Sequence, residues 1–402
     1  MGHLESSAYI GAIAVGGIIF SFIYWSFGFL RMGTTGLTAQ ANGKEDKQES
    51  GLVLGRAILT ALIGSCLVLL LQVPIIKTAM LLIESSMEVK TIAIDYYNIR
   101  IWAAPATIAL YAFYGWFLGM QNAIYPMAIS IGINLLNLLL NIVFLKYFGM
   151  KADGVALGTL IAQYTGVFIA IILILWKYNA YIKGIRLKLI LKINALKKFL
   201  FVNFDIFLRT LCLIFTFSFF TVKSASQGDN ILAINQILLQ LMMLLSYGID
   251  GFAYAAESLV GKYFGASDKS GLKKAIRYSF IGGLITGGFY LLIYVVFNKP
   301  ILNIFTDKLF LLEGAQKYYW WILVATIINV FPYIWDGVYI GVTASKPMRN
   351  TMLIATFLIF VPTYYIGLPY LGNDILWFAL ELFMIARGVG LWMLNKRYIF
   401  IQ

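Results

Sequence analysis

Charge is scarce in this chain. Of 402 residues only 12 % are Asp, Glu, Lys or Arg, while 61 % are hydrophobic. Soluble domains carry about 25 % charged and 45–50 % apolar residues, so a water-facing globular fold is excluded. Histidine occurs once, as His3. No His-Glu-x-x-His, Gly-x-Ser-x-Gly or Gly-x-x-x-x-Gly-Lys-Ser/Thr pattern occurs, so metalloprotease, α/β-hydrolase and P-loop chemistries lack their residues. The chain is therefore read as a non-enzyme. With no nucleotide-binding motif, uphill transport would have to draw on an ion gradient or a separate motor protein. The two cysteines, Cys66 and Cys212, sit inside apolar runs without partners at metal spacing. That reads as small buried hydrophobes, not ligands or a disulfide. Met1–Ala8 lacks a basic n-region, and the apolar run after it is too long for a signal peptide. Alternating strand-length segments are missing as well, which removes a transmembrane barrel.

What is present is a series of long apolar runs, each sufficient for about 30 Å of hydrocarbon. Spans are expected at 9–40, 51–73, 92–120, 124–148, 154–176, 199–223, 231–263, 271–297, 315–343, 348–368 and 374–395. Turn residues punctuate them, as in Asn42-Gly43, Gly265-Ala266-Ser267-Asp268 and Leu371-Gly372-Asn373-Asp374. The fold class is an all-α polytopic membrane protein. The stretch 177–198 holds seven basic residues and no acidic one. It reads as a cytoplasmic linker between an N-terminal lobe, 1–176, and a C-terminal lobe, 199–402. Alternating outward from it, the inside segments hold 18 basic residues and the outside loops 7. This asymmetry obeys the positive-inside rule and places the C-terminus in the cytoplasm. It also accounts for the net charge of +13 without nucleic acid.

The halves repeat at an offset of 222 residues. Gly43-x-x-Asp46 matches Gly265-x-x-Asp268, and Tyr111–Gly119 matches Tyr333–Gly341. Such repeats mark secondary transporters. The same offset puts a counterpart of the 199–223 span before Met1, so two pseudo-symmetric lobes with eleven of an expected twelve spans are read here. A start-site error, a truncation and a real loss of function are the alternatives.

An ionisable group in mid-membrane costs about 2.5–3.5 kcal/mol on insertion scales, and one that is kept is a functional candidate. Asp205 and Arg209, spaced i, i+4, share a helix face and are expected to neutralise each other. Asp250 and Glu257 share a face of the next span. Asp336 follows Pro332 by four residues, where a kink is expected beside the carboxylate. Glu381 and Arg387 read as pairing or interfacial. Asn134, Asn137 and Asn141 form an i, i+3, i+7 stripe, with Thr159 in the following span; interhelical hydrogen bonding and an ion site of hard oxygen ligands are both open. Arg31, Gln40, Asn134, Arg209, Asn235 and Gln236 are the polar side chains expected along a substrate cavity. Trp25, Trp102, Trp176, Trp320, Trp321 and Trp377 are expected in interfacial belts.

Several of these segments resemble the multidrug and toxic compound extrusion (MATE) family, in its DinF-like branch. They are Gly2-His3-Leu4, Phe29-Leu30-Arg31-Met32-Gly33-Thr34-Thr35-Gly36-Leu37-Thr38-Ala39-Gln40, Gly154 through Gln163, Asp205-Ile-Phe-Leu-Arg209-Thr, Ile249-Asp250 through Glu257, and Asp336 with Gly341 and Arg349. The resemblance spans nearly the whole chain. It implies two six-helix lobes around a cleft and export of organic cations or amphipathic compounds in exchange for H+ or Na+. It implies no other cofactor, a monomer in contact with membrane lipid, and the bacterial inner (plasma) membrane. It also implies a first-lobe cation site at Asn137, Asn141 and Thr159. Two departures stand out: the family's helix-one aspartate falls before Met1, and its helix-five aspartate is Asn141, which cannot titrate. Second-lobe coupling through Asp205, Asp250, Glu257 or Asp336 gains weight accordingly. The rival readings are a lipid-linked precursor flippase and a transport-dead homologue.

Overall fold

A computed structural model describes residues 7–400; His3 and its neighbours lie outside them. Eleven helices among the described residues are long and apolar enough to cross a membrane. They are α1 (Ala8–Gly43), α2 (Lys47–Leu70), α3 (Met87–Gly119), α4 (Ile124–Lys146), α5 (Ala152–Lys177), α6 (Ile193–Ala225), α7 (Asp229–Gly265), α8 (Lys269–Val296), α9 (Leu309–Gly341), α10 (Ser345–Leu371) and α11 (Asp374–Tyr398). No strand occurs among the described residues. Helices alone satisfy every backbone group within the segment, as a hydrocarbon solvent requires.

Loop chemistry sets the helix starts. Asp46 accepts from the Glu49 amide at 2.8 Å. Asp268 accepts from the Ser270 and Gly271 amides at 3.0 and 2.9 Å. Both are side-chain N-caps on orphan donors.

The chain divides into two compact units, Met1–Thr38 with Asp46–Phe199, and Ala39–Glu45 with Leu200–Gln402. In the first, α3 packs against α1, α2 and α5, and α4 against α5. Its core gathers Phe20, Tyr96, Tyr97, Trp116 and Phe117. In the second, α7 packs against α8 and α9, α9 against α11, and α11 against α10. Its core holds Phe220, Tyr294, Phe360, Trp377 and Phe383.

The segment read as a linker packs with the first unit. Tyr178 and Tyr181 meet Trp116 edge-on at 5.0 and 6.3 Å, and Ile185 and Ile190 close on Gly51 and Gly55 of α2. Its seven basic side chains stay exposed.

The 222-residue register is written into the backbone. Lys47 and Lys269, Met87 and Leu309, and Ala152 and Asp374 open helices at that spacing. Glu45 and Ser267 (φ 57° and 56°) share a left-handed backbone, as do Gln121 and Thr343 (63° and 55°). A Cβ on Gly115 would strike the Arg31 carbonyl, and one on Gly337 the Ala253 carbonyl, which are again equivalent pairs. Each unit thus builds the same close helix crossing, α1 on α3 and α7 on α9.

Two spans are interrupted. α9 breaks at Asn329, between Leu309–Ile328 and Val330–Gly341, where Pro332 removes one backbone donor. In α10 the stretch Ile354–Phe360 is a π-helix. Two tryptophans expected in the belts are core residues: Trp377 is fully buried and Trp321 nearly so, because their indole N–H groups find partners inside, Asn235 and Asp374. Trp25, Trp102, Trp176 and Trp320 are exposed. Cys66, expected to be buried, is exposed on α2, while Cys212 is buried.

Candidate functional site

In the first unit the polar centre lies between α4 and α5. Asn137 Nδ2 donates to Thr159 Oγ1 at 3.1 Å. Asn141 Nδ2 donates to Asn137 Oδ1 at 3.2 Å, and the Thr159 hydroxyl donates to the Val155 carbonyl at 2.9 Å. Gly158 permits the approach, since a Cβ there would come within 2.6 Å of Asn141 Oδ1. That oxygen is buried and receives no hydrogen bond, which leaves one hard acceptor open in an otherwise satisfied cluster. Asn134 does not join it. Ile133 takes the place against Gly166 of α5, and Asn134, two turns before Asn141, is exposed.

In the second unit the centre is Asp336, on the C-terminal piece of α9. Its Oδ2 accepts from Arg387 Nη2 at 2.6 Å and from Arg209 Nη2. All three side chains are buried. One carboxylate is therefore shared by two guanidiniums. Tyr333, one turn earlier, shares a 2.8 Å hydrogen bond with Ser246 of α7.

The expected Asp205–Arg209 pair is divided between other helices. Asp205 accepts from Arg349 Nη1 at 2.6 Å and from Ser345 Oγ at 2.7 Å, whereas Arg209 reaches Asp336. An i, i+4 pair is worth only a few tenths of a kcal/mol. A buried carboxylate left without a partner costs far more, so the interhelical pairs prevail.

The remaining candidates take separate positions. Asn235 is fully buried and saturated. It donates to Ser224 Oγ and Asn373 Oδ1, both at 2.7 Å, and accepts from Asn373 Nδ2 at 2.9 Å and Trp377 Nε1 at 3.0 Å. It ties α6, α7 and α11 together. Gln236 is half-buried, with Nε2 3.4 Å from Thr221 Oγ1. Gln40, in the part of α1 that belongs to the second unit, donates to the Gly341 carbonyl at 2.9 Å and to Thr343 Oγ1 at 3.1 Å. Arg31 on α1 and Asp250 on α7 are half-buried, and Glu257 is buried.

Sequence reasoning left Glu381 and Arg387 at the margin, as pairing or interfacial residues. Arg387 is 1 % exposed and completes the Asp336 cluster. Glu381 is 3 % exposed, and neither oxygen receives a hydrogen bond from the described residues. It is thus not paired among the described residues. The available signal was their placement: α11 is otherwise apolar through this stretch, and charges held at such depth mark sites.

An apolar groove of about 520 Å3 opens beside this cluster, lined by Phe280, Phe331, Trp335, Ile385, Val389 and Trp392. No group of three or more His, Cys, Asp or Glu side chains among the described residues is placed to hold a metal ion.

Comparison with known proteins fits these features. The MatE family matches residues 1–143 and 206–366. DNA damage-inducible protein F of Escherichia coli (strain K12) is 35 % identical over 406 residues, covering 99 % of this chain and 86 % of that protein. Multidrug and toxin extrusion protein 1 of Homo sapiens is 28 % identical over 308 residues, covering 75 % of this chain and 51 % of that protein. Among solved structures, an outward-facing multidrug resistance MATE family transporter superposes with a TM-score of 0.87 at 18 % identity, over 98 % of this chain and 88 % of that one. A transporter from Pyrococcus furiosus does so with 0.86 at 19 % identity, over 98 % and 88 %. Two repeated helical units, eleven membrane-length helices and a full-length match at this identity lead to one assignment: the chain is a multi-pass membrane protein of the MatE family of multidrug and toxin extrusion transporters.

Proposed function

We propose that this protein is a cation-coupled antiporter that exports organic cations or amphipathic compounds by alternating access, in the bacterial inner membrane, with its C-terminus in the cytoplasm. The observation that carries the reading is the buried ionisable cluster of the second unit, Arg209, Asp336 and Arg387, inside a family of extrusion transporters. Membrane carboxylates whose pairing changes with protonation or ion binding can bias one conformation over another. A coupling ion shifts such an equilibrium only by its differential affinity for the two states. Asp205, Asp250 and Glu257 belong to the same reading as further carboxylates of the second unit. Asn137, Asn141 and Thr159 offer neutral oxygens, which suit Na+ more than a proton.

The test uses protein reconstituted into vesicles with an imposed pH or Na+ gradient and ethidium as the transported cation. Gradient-dependent ethidium flux is expected, and Asp336→Asn, verified as folded, should weaken it. Flux that ignores both gradients would sink the proposal. Movement of a lipid-linked precursor in place of organic cations would replace it with the flippase reading.

A further inference from the structure

Glu381 stands out among the buried groups that the Asp336 cluster does not use. It lies two turns into α11, 3 % exposed, with both carboxylate oxygens lacking a donor among the described residues. A charged carboxylate out of water without donors is strongly disfavoured. At this place it needs a cation on it, and a proton is the simplest.

Its position is repeated in the other unit. α5 and α11 open 222 residues apart, at Ala152 and Asp374, so Glu381 falls on the equivalent of Thr159. Thr159 belongs to the first unit's polar centre, which also keeps one buried oxygen open, on Asn141. Both units therefore keep polar oxygen without a donor at the same pair of helices, α4–α5 and α10–α11. In the first unit the groups are neutral amides and a hydroxyl. In the second the group is ionisable.

Asn373, Trp377 and Glu381 stand at i, i+4 and i+8, on one face of α11. The first two are committed to Asn235. Six residues on, about 9 Å along the axis and about 240° round it, Arg387 holds Asp336 from another face. Charged and phenolic groups of the packed elements are held elsewhere. On α6, Arg209 goes to Asp336. On α9, the Tyr319 and Tyr339 hydroxyls donate to the Tyr294 and Leu391 carbonyls. On α10, Arg349 goes to Asp205, and Tyr364 packs on Phe219 and Lys223. The π-helical stretch of α10, which packs on α11, carries no ionisable side chain. Such wide turns often sit at functional sites and ease helix rearrangement.

We propose that Glu381 is the proton-carrying carboxylate of the second unit. With its proton, Glu381 is neutral and stays buried in the packing of α11. Without it, a bare carboxylate is strongly disfavoured there, so deprotonation loosens α11 against the π-helical stretch of α10 that packs on it. The proposal rests on the cation-coupled reading above.

The experiment compares wild type, Glu381→Gln and Glu381→Asp in ethidium-loaded vesicles across external pH, with ethidium affinity measured separately in detergent. Gln reproduces the protonated shape without the proton. Expected are a fall of about tenfold in pH-driven flux for Glu381→Gln, a typical size for a lost coupling, a flattened pH profile, an ethidium affinity that no longer varies with pH, and partial recovery in Glu381→Asp. As a readout independent of variants, adding ethidium to wild type at acidic pH should release protons to a dye-buffered solution, and Glu381→Gln should release fewer. Wild-type flux with a full pH profile retained in Glu381→Gln overturns the role of Glu381. Absence of gradient-driven flux in wild type overturns the antiporter reading itself. Should Glu381→Gln fail to fold, wild-type infrared difference spectra decide: a buried protonated-carboxyl band lost on adding ethidium supports the proposal, and its absence overturns it.

Discussion

Asp336 is the residue on which the second unit's electrostatics turn, because it faces two buried guanidiniums. Removing its charge takes away the carboxylate that Arg209 and Arg387 share, and breaking buried pairs in this way costs about 3–5 kcal/mol. Removing Arg387 instead leaves a balanced Arg209–Asp336 pair. Asp336→Asn should therefore lower the thermal unfolding midpoint in detergent by clearly more than Arg387→Met. Equal losses would mean the three charges do not act as one cluster. The sequence made Asp336 legible, since a carboxylate four residues past a proline in an apolar span has few bland explanations. It could not reveal the partners. Spacing along one helix pointed Arg209 at Asp205, whereas the real pairs join helices more than a hundred residues apart, and only packing decides among such choices. The polar stripe of α4 shows the same limit: Asn137 meets Thr159 and Asn141 meets Asn137, but Asn134, on the same face two turns before Asn141, is exposed.

At the level of elements, hydropathy located all eleven spans to within a few residues, because a bilayer demands long apolar runs and little else has that signature. The break at Asn329 was half visible through Pro332. The π-helical turn of α10 was not visible at all, since a run such as Ile354–Phe360 has no compositional mark. The repeat came from a few matching residues, and the close crossings explain why those residues match: glycine is needed where α3 meets the backbone of α1 and α9 that of α7. Gly337→Ala should therefore destabilise the second unit by about 1–3 kcal/mol, the usual penalty for overpacking. Gly251→Ala, on the same pair of helices but with open space around its Cα, should be neutral or stabilise by up to about 1 kcal/mol through helix propensity. Unfolding of the two variants in detergent checks the contrast, and a Gly337→Ala protein as stable as wild type would mean the crossing has slack.

For the whole molecule, orientation follows from where the exposed positive charge sits. The segment between α5 and α6 is fixed to the first unit by Tyr178, Tyr181, Ile185 and Ile190, while Lys177, Lys183, Arg186, Lys188, Lys192, Lys197 and Lys198 all face outward from the protein. Exposed Leu187, Leu191 and Ile193 are interleaved with them. Basic and apolar side chains mixed on one docked surface suit the boundary of an anionic leaflet, where each Lys or Arg near the surface contributes about 1 kcal/mol. By the positive-inside rule such a segment is expected on the cytoplasmic side. The chain offers a clean test, because only Cys66 and Cys212 need replacement before single cysteines are introduced. In that background a cysteine at exposed Asn194 should react with a membrane-impermeant maleimide in inside-out vesicles and not in intact cells. A cysteine at Lys308, in the loop before α9, should do the reverse. The opposite pattern would invert every loop, put the basic surface outside, and remove the charge asymmetry as the reason for the topology.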